Sequence, residues 1–221
     1  VIDVTNYKQF MGIDSFPVFD VKYYTLDLTG DYSYGARAEY DVKTKAHTLM
    51  LPRNCGASKF LLFHELTHIL DMETLASGEK NHDFCLTGYM EYHASQVELM
   101  IMLGADSVKD LLSFSMQDHV EQSDWTFEQY VNNKLNTAQR LIADKNQQTR
   151  VDGLNAFFNF LGLKSVCGMF AKDFEETYSY QGIMAKMSSP LFMELRRTYS
   201  GWIDDIDKAV AIYSHAVNAI L

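Results

Sequence analysis

Cysteine is scarce in this 221-residue chain: Cys55, Cys85 and Cys167 are odd in number, far apart and form no Cys-x-x-Cys pair. That excludes a disulfide framework and a structural zinc knuckle, and it fits a reducing, cytoplasmic setting. Proline is equally rare, at Pro17, Pro52 and Pro190, and neither an internal repeat nor a Gly/Ser-rich or Pro-rich linker divides the chain. No apolar run reaches the roughly 18 residues of a membrane span. Residues 1–20 lack a basic stretch followed by an apolar one, so no signal peptide is expected there. Positive charge is also short, with 19 Lys and Arg against 29 Asp and Glu, a formal net charge of −10. Such a molecule repels nucleic-acid phosphate and anionic membrane, and a basic protein partner suits it better.

What is present sorts into two unlike parts. Residues 19–28 are rich in β-branched and aromatic types and read as a strand, followed by a turn region between Gly30 and Gly35. Residues 36–43 alternate strictly, with Ala36, Ala38, Tyr40 and Val42 on one face and Arg37, Glu39, Asp41 and Lys43 on the other. A turn near 43–45 leads to a third strand over 46–51 that Pro52 stops. These predict a small antiparallel sheet.

Beyond it the pattern is helical. Ser58 is a candidate N-cap for a helix ending near Gly78, a loop over 78–83 follows, and a second helix covers roughly 86–103. Apolar residues at i, i+3 and i+4 mark further helices over 127–142 and 203–220, and helical signal recurs at 151–162 and 189–199. The expected fold class is α+β: a small antiparallel sheet packed on the first long helix, in a core of residues 1–104, with a helical extension over 105–221 packed on it.

The chemistry lies in that first helix. His64-Glu65-Leu66-Thr67-His68 sits within FLLFHELTHILD, a stretch apolar nearly all round and therefore buried. Histidines at i and i+4 share one face and can aim at one ion, and buried imidazoles beside a carboxylate are costly unless something such as a metal engages them. Glu65, on the flank of that face, can reach a water on the ion without ligating it. Zinc lowers the pKa of such a water from about 16 toward about 7, and the glutamate takes its proton.

A catalytic zinc needs a third protein ligand and one open position. Glu91, 23 residues beyond His68, is the leading candidate, because Ala94 and Ser95 on its own helix face are small enough to let two helices approach. Glu98, Asp71, His82 and His93 stay open as alternatives. Asp71, three residues after His68, can orient a histidine by accepting its N–H. Tyr89 and Tyr92 flank the proposed ligand and are candidates to stabilise an oxyanion. Residues 47–51 are the candidate sheet edge for a substrate held as an added strand.

HELTHILD followed by EYHAS resembles the gluzincin metallopeptidases, and within them the layout over residues 35–104 resembles the ImmA/IrrE family. The resemblance implies zinc ligands at His64, His68 and Glu91, with Glu65 as general base. It also implies a regulatory protease acting on an intracellular protein such as a DNA-binding repressor. The competing expectation is a non-catalytic, zinc-stabilised module that binds a protein partner through its helical half.

Overall fold

The computed structural model describes residues 2–25, 35–53, 58–121 and 123–221. A short helix α1 (Thr5–Met11) precedes the strands β1 (Phe19–Tyr24), β2 (Arg37–Asp41) and β3 (Ala46–Pro52). Then come the helices α2 (Lys59–Leu75), α3 (Lys80–Met102), α4 (Phe127–Ile142), α5 (Gln147–Phe170), α6 (Gln181–Met184), α7 (Ser189–Thr198) and α8 (Ile206–Ile220). The class is α+β. The expected end of the first strand beyond residue 25, the turn residues 30–34 and Cys55 lie outside the described residues, while Cys85 and Cys167 are free thiols.

The sheet corrects two expectations. It is mixed, in the order β1-β3-β2, with β1 parallel to β3 and β2 antiparallel to it. The turn at 42–45, with Lys45 left-handed at φ 54°, forces only β2 and β3 into an antiparallel pair. The segment 47–51 is therefore the centre of the sheet, paired on both sides, and among the described residues β2 is a free edge. The inner face of β2 keeps the expected alternation through Ala36, Ala38 and Tyr40, but Val42 turns out to solvent in the hairpin.

Ser58 caps α2, its hydroxyl accepting the Leu61 N–H at 3.4 Å. The helix ends at Leu75, short of Gly78, and α3 begins at Lys80, earlier than the apolar pattern suggests. Asp83, in the first turn of α3, explains that early start: it accepts the Ser77 N–H at 2.9 Å and ties the connection to the new helix.

One core runs from the sheet into the helical half, joining Leu49, Phe63, Leu66, Ile69, Tyr92, Leu99, Phe157, Phe158 and Phe160. Full burial of such side chains stabilises by about 1.5–3 kcal/mol each. The helix α5 is longer than the 151–162 signal: Asn146 caps its polar start by accepting the Thr149 N–H at 3.1 Å, and residues 163–170 extend it with little periodicity. Two glycines set how closely helices meet α3. A Cβ on Gly162 would stand 2.2 Å from the Tyr92 carbonyl oxygen, and one on Gly88 2.0 Å from the Tyr213 ring. Backbone and aromatic ring approach there as only glycine permits. No helix among the described residues is long and apolar enough to cross a membrane.

Candidate metal centre

The helices α2 and α3 pack together and bring three side chains to one point. His64, His68 and Glu91 each offer a ligand atom, and the three atoms lie within 4.8 Å of one another. The Nε2 atoms of both histidines stand 3.7 Å from Oε2 of Glu91. That is too long for hydrogen bonds. It is close to the edge of about 3.4 Å that a tetrahedral zinc with bonds of about 2.0–2.2 Å sets between its ligand atoms. Two imidazoles and a carboxylate are zinc-type donors, so the residues present fit the ion.

A second carboxylate fixes the first histidine. Oε2 of Glu98 lies 2.8 Å from Nδ1 of His64. An ionised carboxylate only accepts, so the Nδ1–H donates and the Nε2 lone pair is left for a metal. Oε1 of Glu98 accepts the Tyr130 hydroxyl at 2.5 Å and lies 3.9 Å from Nζ of Lys134. Burial resists the charge on Glu98, but Lys134, His64 and Tyr130 outweigh it and hold the acid down to about 2. Burial likewise opposes a proton on His64, yet the Glu91 carboxylate 3.7 Å away, the hydrogen bond to Glu98 and the nearby charge of Glu65 push its pKa up to about 10. Desolvation also works against the charge on Glu91, which the two histidines and an Asn159 hydrogen bond nonetheless keep below the ordinary carboxylate range.

Glu65 is buried beside this group, and its Oε2 accepts the backbone N–H of Ala38 at 2.7 Å. The edge strand thus holds one carboxylate oxygen and leaves the other free of it. Two cavities meet at the centre. One of about 440 Å³ is lined by residues 35–38, by the motif and Glu91, and by Tyr130, Asn133, Lys134 and Thr137 of α4 with Asp152, Asn155 and Asn159 of α5. The other, of about 220 Å³, is lined by Tyr40, Ile69, Met72 and Met90 beside His68 and Glu91.

The remaining sequence candidates fall elsewhere. Asp71 accepts from His93 Nδ1 at 2.9 Å, so it orients a histidine outside the triad, and the carboxylate that meets a ligand histidine is Glu98. Asp71 stays on the helix face of His64 but lies two turns further along, where the residue that meets it from α3 is His93. His82 pairs with Asp83 at 3.4 Å. The Tyr92 ring is wholly buried, its hydroxyl donating to the Gly201 carbonyl at 2.6 Å, and Tyr89 leans on His93 with ring centres 5.6 Å apart.

Residues 105–221, which showed periodicity but no chemistry, supply the far wall of the cleft. Four of its polar groups, Tyr130, Lys134, Asn155 and Asn159, went unnoticed. The last two carried a signal: amides four residues apart inside LNAFFNFLGL break an apolar run much as the two histidines do. Ser95 donates to Oδ1 of Asn159 at 2.5 Å, which turns the Asn159 N–H groups to Glu91. The close approach at Gly162, one turn further along α5, makes that contact possible. No protein-family model, curated protein or solved structure matches this chain.

Proposed function

We propose that this protein is a zinc-dependent peptidase of the gluzincin type, with the ion held by His64, His68 and Glu91. One observation carries the reading: the His64, His68 and Glu91 ligand atoms converge in a cleft whose rim is the free edge of β2, and that edge holds Glu65 through Ala38. A zinc ion bound there would acidify a water toward neutral pH and polarise a carbonyl.

The chain's own residues then account for the proton traffic. Glu65 takes a proton from water as the water oxygen bonds to the carbonyl carbon. It returns that proton to the amide nitrogen as the C–N bond breaks, leaving a carboxylic acid and an amine. His64 stays in the metal-binding tautomer because Glu98 holds its Nδ1–H. With the Ala38 N–H taken by Glu65, the rest of the β2 edge offers an extended peptide a partner strand. The Met72 and Met90 pocket supports an apolar side chain beside the cleaved bond. The net charge of −10 favours a basic protein as substrate, and a DNA-binding repressor is one such protein.

The test is cleavage of fluorescein-labelled casein and of a mixed peptide pool by zinc-loaded protein. Cleavage is expected in the wild type and lost in Glu65→Gln, with zinc content unchanged. Retained cleavage in Glu65→Gln contradicts the mechanism.

A further inference from the structure

Asn155 has a task beyond packing. Its Oδ1 accepts the Tyr213 hydroxyl at 2.7 Å, so the amide nitrogen is turned away from that bond. The nitrogen meets no acceptor among the described residues, and the side chain lines the cavity that holds His64, Glu65 and Glu91. Asn159, one helical turn on, shows what such an amide does here: with its oxygen taken by Ser95, its N–H groups serve Glu91. The two amides stand about 5–6 Å apart along one face of α5. Tyr213 is itself fixed, wholly buried and seated against α3 where Gly88 has no side chain.

We infer that Asn155 is the oxyanion donor of the site, its N–H aimed at the substrate carbonyl oxygen as that oxygen gains negative charge. This rests on the peptidase reading. Two competing donors are already committed, the Tyr130 hydroxyl to Glu98 and the Tyr92 hydroxyl to the Gly201 carbonyl, while the Lys134 ammonium is drawn by charge toward Glu98, 3.9 Å away. Asn133 and Thr137 also line the cavity, but among the described residues no partner orients them as Tyr213 orients Asn155. Orientation before the reaction is what makes such a donor effective, because no reorganisation is needed as charge develops.

The test compares binding of two probes to zinc-loaded protein by calorimetry: a leucine-containing phosphonamidate peptide, whose tetrahedral anion mimics the charged oxygen, and the matching hydroxamate, which needs only the ion. Asn155→Ala is expected to weaken the phosphonamidate by about 10- to 100-fold, and kcat on labelled casein by about 100-fold, while hydroxamate and zinc binding hold. Asn155→Asp keeps the size and the Tyr213 bond but removes the donor, so it loses the phosphonamidate even if the alanine variant folds poorly. Tyr213→Phe, acting through Asn155, gives a smaller loss of the same kind. An unchanged ratio of phosphonamidate to hydroxamate affinity in Asn155→Asp overturns the assignment alone, as does a wild type that binds the hydroxamate but not the phosphonamidate. A wild type that binds no zinc overturns the peptidase reading and this inference with it.

Discussion

Glu98 and His64 face each other from α3 and α2 with 2.8 Å between Oε2 and Nδ1, and this bond decides which ring nitrogen of the histidine is open to a metal. Glu98 is therefore a carboxylate that serves the centre from behind His64, seven residues beyond Glu91, which offers it a ligand atom. Its burial is offset only by its three partners.

Removing that carboxylate should weaken the metal site without dismantling it. Glu98→Ala is expected to lower zinc affinity by about 10- to 100-fold, as loss of an outer-shell partner does. Glu98→Gln, which can still accept from His64, should lose less. Competition with a chromophoric chelator measures both, and equal affinity in all three proteins would speak against the orienting role.

The same pair gives the metal-free protein a two-sided pH dependence. The Glu98 pKa is depressed from 4.5 to about 2, so its stabilising contribution is present above pH 4.5 and lost as pH falls toward 2. The His64 pKa is raised from 6.5 to about 10, so its contribution is full below pH 6.5 and lost as pH rises through 10. Zinc competes with that His64 proton, so zinc affinity should climb over the interval in which metal-free stability falls. Denaturant unfolding across pH 2–10, beside zinc titrations at each pH, checks the opposite signs; Glu98→Gln should flatten the acid limb.

Gly162 tests whether helix contact sets the centre. Gly162→Ala places a methyl group 2.2 Å from the Tyr92 oxygen. It should destabilise by about 1–3 kcal/mol and, by pushing α5 off α3, also lower zinc affinity through Asn159. Gly168→Ala is the control, since a Cβ there stands 3.6 Å from the nearest atom. It should be neutral or stabilising by up to about 1 kcal/mol. Thermal unfolding separates the two.

The small pocket predicts a side-chain preference. Sequencing the products of a cleaved peptide pool should show an apolar residue enriched at one position beside the cut. Met72→Glu places a carboxylate in that pocket and should move the preference toward Lys and Arg. An identical product profile from the two proteins would remove the pocket from specificity.

The parts legible in the sequence were those with a period or a cap. Strand alternation placed β2, the capping serine placed the start of α2, and the i, i+4 histidines marked the face on which Glu91 meets them. Strand order was not legible, because alternation says which face is buried but not which strand lies at the edge. The partners of Glu98 and Glu91 were hidden for a different reason: Tyr130, Lys134 and Asn159 reach the centre from α4 and α5, across 32 to 68 residues of sequence, through helix packing that no local pattern encodes. Asp71 shows the cost of using spacing alone, since a short step along the helix sent its carboxylate to His93.

The central claim is that three side chains from two helices hold one ion. Zinc content and affinity of the purified protein, measured by plasma mass spectrometry and chelator competition beside His64→Ala, His68→Ala, Glu91→Ala and Glu65→Gln, test it most directly. One zinc per chain is expected in the wild type and in Glu65→Gln, and loss of tight binding in each of the other three. A wild type without zinc affinity, or a Glu91→Ala protein that binds as tightly as the wild type, would contradict it.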